Sequence, residues 1–211
     1  MRPIRLPGKA RFCEFLCAFN PDERGYFVTG NSKRQHYAPI SIFLHWAMLL
    51  LITGAYACIL LRENFERGSD LREGLKTWHF MLGLTILLLV LVRIAARFLS
   101  AKPPITPQPP AWQMLLSNGV HGALYAFMLV MPLLGWTILS AKGKAIPFYG
   151  LDLFALVRPN KVLAGQVQDV HELIATIGYY LIGVHAAAAL VHHYLFKDNT
   201  LTRILPGRRN T

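Results

Sequence analysis

Eight histidines punctuate a chain of 211 residues, and two of them, His171 and His185, close the two ends of the apolar stretch HELIATIGYYLIGVH. On an α-helix fourteen residues advance about 21 Å and fall about 40° short of four whole turns. Both imidazoles therefore lie on one face, at widely different heights. Each calls for a partner at its own height. His79 answers His171, while His45 and His121 both answer His185. One imidazole nitrogen above and one below a flat iron macrocycle is a six-coordinate haem, and two pairs at two heights are ligands for two such groups. Zinc would need four ligands converging at one depth, which this spacing prevents. A lone histidine in an apolar segment is more often a structural imidazole bonded to a carbonyl; a same-face pair with depth-matched partners favours ligation.

The elements that must position these groups are transmembrane. The composition is 54% hydrophobic and the mean hydropathy is +0.36, concentrated in runs over 42–61, 78–99, 119–140 and 170–196. Each approaches or exceeds the roughly 20 residues that cross a hydrocarbon core. Lipid offers the backbone no hydrogen-bonding partner, so each run must be a helix. A soluble helix of that length would keep a polar face. The expected fold is all-α, an integral membrane four-helix bundle of antiparallel helices over 41–197. A mobile arm over 1–40 precedes it and a basic tail over 198–211 follows. Pro39 suits a first helical turn and Ser41 could cap it. A charged loop is expected over 62–76. The prolines of AKPPITPQPPAWQ enforce a stiff connection, and Trp112 stands where an interfacial anchor belongs. Pro132 should kink the third span.

Orientation follows from basic residues in the flanks. Fourteen Lys and Arg fall on the side holding the arm, the second connection and the tail, against eight on the other. Positive residues stay inside, so both termini are expected in the cytoplasm of a bacterial inner membrane. The formal net charge of +11 then reflects topology and anionic lipid headgroups, with no case for nucleic acid. FCEFLCAF at 12–19 is short and broken by Glu14, a poor signal peptide. Cys13, Cys17 and Cys58 form neither a disulfide framework nor a CxxCH attachment site. Gly83, Gly122, Gly135, Gly178, Gly183 and Ala186 to Ala189 would let a macrocycle approach the backbone, although small residues equally serve close helix packing.

SIFLHW, KTWHFMLGL, VHGALY, HELIATIGYYLIGVHAAAALVHHY and KDNTLTRILP together resemble the bacterial cytochrome b561 family, over about 36–206. The resemblance implies two b-type haems, His45 with His185 on the inner one and His79 with His171 on the outer. His121 matches a family histidine that is not assigned as a ligand, and remains the rival to His45. Similar members act as superoxide oxidases, taking electrons from periplasmic superoxide and giving them to ubiquinone. His192 is implied as a quinone-binding residue, where an imidazole could bond a carbonyl oxygen and exchange protons; an interfacial histidine reaching for headgroups is the plainer reading. The outer connection over 140–166 carries Lys142, Lys144, Arg158 and Lys161 against Asp152 alone, a patch that would gather a small anion. About forty residues precede the HW motif where similar members have only a few. That is either an appendage or a start assigned too far upstream, and the second is expected here. Two other classes fit the spans: a membrane anchor conducting electrons for a redox partner protein, and a transporter relaying protons through histidines.

Overall fold

The computed structural model describes residues 36–100 and 102–206. The expected arm up to residue 35 lies outside them, with Cys13 and Cys17. Four long helices dominate: α1, Pro39–Leu61; α2, Asp70–Leu99; α3, Ala111–Ala141; and α4, Lys161–Tyr194. Each is long and apolar enough to cross a membrane, so the fold is the expected all-α four-helix one. All four begin earlier than the apolar runs do, and in α2 and α4 the added first turns include charged residues. The thirty residues of α2 and thirty-four of α4 reach about 45 and 51 Å at 1.5 Å per residue, against about 30 Å of hydrocarbon.

The helix starts explain the differences. Ala38 precedes Pro39 in extended conformation without a side-chain cap, so Ser41 belongs to the first turn rather than capping it. The Ser69 hydroxyl accepts from Arg72 N at 3.4 Å, and Asp70 and Glu73 place negative charge in the first turn of α2, where the helix dipole favours it. The loop expected over 62–76 thereby shortens. Arg62–Asn64 continues α1 as a 3-10 turn, and the Arg72 guanidinium donates to the carbonyls of Arg62 and Phe65 at 3.0 and 2.8 Å. Asn160 Oδ1 accepts from the amides of Val162 and Leu163, both at 3.1 Å, so Lys161 opens α4 instead of ending the loop. Pro132 is buried and α3 continues through it without interruption.

Helix α1 packs on α2, α2 on α3 and α3 on α4. Met48, Ala55, Ile86, Val90 and Met128 form one buried cluster among the first three. Leu84, Leu139 and Ile146, with Phe80, Trp136, Phe148 and Leu153 packed on them, seat the connection between α3 and α4. That connection carries a hairpin, β1 Pro147–Phe148 with β2 Leu151–Asp152, in the register Pro147 to Asp152 and Phe148 to Leu151. Its two turn residues, Tyr149 and Gly150, have φ of 47° and 88°, the left-handed backbone a two-residue hairpin demands. Large apolar side chains face outward, Leu50 being 71% and Tyr180 73% exposed, as expected where the surrounding solvent is lipid.

The opposite end is closed by the tail. Trp46 Nε1 donates to Ile204 O at 3.0 Å, Tyr37 N to Arg203 O at 3.2 Å, and Thr106 N to Asn199 Oδ1 at 2.9 Å. The buried Arg203 donates to Pro103 O and stacks over Tyr37 at 5.3 Å. Residues 198–204 thus bind the start of α1 to the proline-rich connection. The bundle has a hairpin end and a tail end.

Candidate functional site

Near the hairpin end, His79 of α2 and His171 of α4 face each other with ring centres 6.3 Å apart and planes at 73°. They lie nine and ten residues from the starts of their helices, so similar helix lengths carry them to similar depth. A carbonyl can only accept, so His79 Nδ1 donates to Ala55 O at 2.8 Å. That fixes the tautomer and leaves the Nε2 lone pair free for a metal. His171 Nδ1 is buried beside the Met131 carbonyl with no partner in hydrogen-bond geometry. A Cβ on Gly135 would stand 3.8 Å from His171 Cε1.

Near the tail end three imidazoles meet. His45 and His185 have ring centres 6.3 Å apart at 60°, and His121 lies 5.1 Å from His185 at 85°. His121 Nδ1 donates to Ser117 O, one turn back, at 2.6 Å. His45 Nδ1 meets Arg93 Nη2 at 2.9 Å; a guanidinium has only donors, so this nitrogen accepts. Arg93 Nε also points at Tyr125 Oη, 3.4 Å away.

Two imidazoles on opposite sides of one metal, each bonded at about 2.0 Å with ring atoms about 1.1 Å from the ring centre, have centres about 6.2 Å apart. The pairs His79–His171 and His45–His185 fit that spacing; His121–His185 is too close. Among the described residues no three of His, Cys, Asp or Glu converge as ligands for one ion. The imidazoles come as a pair at one end and a group of three at the other.

Between the pairs lies an aromatic contact. Tyr56 Oη donates to Ala175 O at 2.7 Å, and its ring is 4.2 Å from that of Tyr179. A Cβ on Gly178 would fall 2.4 Å from Phe127 Cε2 and 2.8 Å from Tyr56 Oη, so this glycine serves close packing. Gly83, Gly122 and Gly183 have nothing within 4 Å of where a Cβ would stand.

The family model described as prokaryotic cytochrome b561 matches residues 36–207, which takes in all four helices and both pairs. The chain belongs to the prokaryotic cytochrome b561 family. Its members bind haem b and carry electrons. Cytochrome b561 homolog 1 of Escherichia coli K12 is 38% identical over 173 residues, 82% of this chain and 98% of that protein. The probable superoxide oxidase CybB of Yersinia pestis is 35% identical over 173 residues, 82% and 97% of the two chains. Cytochrome b562 of Cereibacter sphaeroides is 31% identical over 179 residues, 82% and 96%.

In this cytochrome b561 the other candidate residues are placed as follows. Lys142, Lys144, Arg158 and Lys161 are exposed at the hairpin end, but the patch is less uniformly positive than the sequence suggests. Lys142 Nζ donates to Gln168 Oε1 at 2.6 Å and Gln168 Nε2 to Glu172 Oε1 at 2.9 Å. Lys144 lies close enough to Glu73 to interact electrostatically. Asp152 is therefore not the only carboxylate facing these cations, since the fold brings in acids from α2 and α4. His192 Nδ1 and Asp198 Oδ2 are 2.6 Å apart, and Asp198 is buried. Burial by itself raises the Asp198 carboxyl, but hydrogen bonds from Thr200 and His192 outweigh it and hold the group below the usual carboxylate range. Arg93, Tyr125, Tyr56 and Asp198 were not among the residues singled out in the sequence. Arg93 carried a signal, a charge inside the apolar run of α2 where ionisable groups are expensive and usually functional.

Proposed function

We propose that this cytochrome b561 is a superoxide oxidase holding two b haems, one between His79 and His171 and one between His45 and His185. The observation that carries the ligand assignment is the shared 6.3 Å separation of the two pairs, matched to one iron between two imidazoles, with the 5.1 Å His121–His185 spacing disfavouring His121. The haems supply single-electron storage and transfer at two depths. The chain sets their heights, their ligand orientation and the apolar surroundings that keep water out.

The reading places the hairpin end in the periplasm and both termini in the cytoplasm, in keeping with the distribution of Lys and Arg. Superoxide arrives at the hairpin end, gives one electron and leaves as dioxygen; the exposed Lys142, Lys144, Arg158 and Lys161 raise its encounter rate. Two electrons and two cytoplasmic protons convert one ubiquinone to ubiquinol. His192, hydrogen-bonded through Nδ1 to Asp198, can offer Nε2 to a quinone carbonyl and exchange a proton there. The relative named as a probable superoxide oxidase supports this choice of donor.

The test is stopped-flow mixing of the purified protein, in nanodiscs containing ubiquinone, with a steady source of superoxide. Haem reduction faster than spontaneous dismutation, and one ubiquinol per two superoxide consumed, is expected. Haems that ignore superoxide would favour a conduit serving a partner enzyme. Replacing the four cations with Gln should lower the rate and flatten its salt dependence; an unchanged salt slope removes the steering role while leaving the reaction.

A further inference from the structure

The tail-end site contains an unbalanced charge. Arg93 lies in the inner half of α2, with Nη2 on His45 and Nε toward Tyr125, and its remaining terminal nitrogen, Nη1, is buried with no partner. Arg97, one turn further along the same face, holds its guanidinium 5.5 Å above the Tyr125 ring. Among the described residues no carboxylate is available to either. Helices α1 and α3 contain no Asp or Glu, those of α2 are Asp70 and Glu73, and those of α4 are Asp169 and Glu172, all near the hairpin end. Asp198 is occupied by His192 and Thr200. An unpaired cation with an orphaned donor is costly away from water, so this place is built for an anion that the described residues do not supply.

The partner Arg93 does have is one that ligation removes. An imidazole bound to a metal through Nε2 carries its proton on Nδ1 and can only donate there. His45 then no longer accepts from Arg93, and the guanidinium is left with a second free edge. We infer that Arg93 and Arg97 seat the carboxylate edge of the haem at the tail end, an inference that rests on the two-haem reading and specifies one end of it. Haem b carries two propionates on one edge, and a guanidinium fork matches a carboxylate in geometry as well as charge. The arrangement orients the macrocycle with that edge toward the tail. It also stabilises the haem's electron-rich, reduced state, since local charge and hydrogen bonding are among the levers on haem potential. Among the described residues no arginine hydrogen-bonds His79 or His171, although Arg62 acts on His79 through space, so the hydrogen-bonded device belongs to the tail end. Phosphate headgroups of anionic lipid are the competing source of negative charge at that depth.

The experiment measures haem per chain and a spectroscopic redox titration on the holoprotein, with Arg93→Gln, Arg93→Lys and Arg97→Gln, in nanodiscs of phosphatidylcholine alone and with phosphatidylglycerol. Arg93→Gln should weaken retention of the tail-end haem on the order of tenfold, the scale of one lost charge-assisted hydrogen bond. It should lower that haem's potential and leave the hairpin-end haem unchanged as an internal control. Arg93→Lys keeps the charge without the fork and should fall between. Two haems with unshifted potentials in both Gln variants would overturn the inference. If Arg93→Gln loses both haems through misfolding, Arg97→Gln decides: a shift confined to the tail-end haem supports the seat, and no shift overturns it. An effect of the arginines that disappears in phosphatidylcholine would assign them to lipid and also overturn it. Failure of the two-haem reading would show in the unsubstituted protein, before any arginine is changed.

Discussion

The two ends of the bundle solve the same problem with different materials. At the hairpin end one imidazole of the pair is braced by backbone: Ala55 O fixes His79 with its Nε2 already free, and Gly135 leaves room beside His171. At the tail end three imidazoles and a guanidinium share one site, and His45 is bonded to Arg93 through the nitrogen that must change role on ligation. On the proposed two-haem reading the first end already offers a free Nε2, whereas the second must exchange a bond to receive a metal. A carbonyl brace fixes geometry without adding charge. An arginine brace adds charge, which an electron-transfer chain can use to draw electrons toward one end.

The comparison can be broken most forcefully by removing ligands. His171→Ala or His79→Ala should halve the haem content, leaving the tail-end haem with its spectrum and potential intact, and His185→Ala should do the converse; pyridine haemochrome assay per chain reads both. Loss of both haems from either substitution would mean that the ends are one cooperative site. The contact that separates them comes next. Gly178→Ala forces a methyl into Phe127 and Tyr56 and should cost about 1–3 kcal/mol, measured as a lower midpoint of denaturant unfolding in micelles.

A smaller effect concerns the tail. A carboxyl whose folded value is depressed contributes stability at pH above its unfolded value, about 3.9, and loses that contribution as pH falls through the folded value. Asp198 is such a group. Docking of residues 198–204 should hold at neutral pH and loosen in acid below about pH 4, seen as faster hydrogen exchange there, and Asp198→Asn should remove that dependence. The smallest expected effect is the most discriminating between rivals: His121→Ala should keep both haems, and losing the tail-end one would make His121 the ligand and discredit the spacing criterion.

Much of this was legible in the sequence because lipid imposes simple rules. Long apolar runs had to be helices, and a fourteen-residue interval had to put His171 and His185 on one face, so the two levels followed from arithmetic on one helix. Hydropathy could not find the helix starts, since Ser69 and Asn160 extend α2 and α4 with polar residues. Nor could it choose between His45 and His121, whose depths match; the separation across helices is the observation that favours His45 in the proposal. Counting along one loop sees neither Glu73 from α2 nor Glu172 from α4 beside the basic patch. In the sequence Arg93 is one of the fourteen Lys and Arg counted for orientation, and its bond to His45 needs α1 and α2 side by side.

The most direct test of the central claim is the ratio of haem to polypeptide in protein purified after expression with ample haem supply. Two b haems per chain, resolved as two components in a redox titration, is the predicted result. A single haem, or none in a folded chain, would contradict the account of two imidazole pairs each holding an iron.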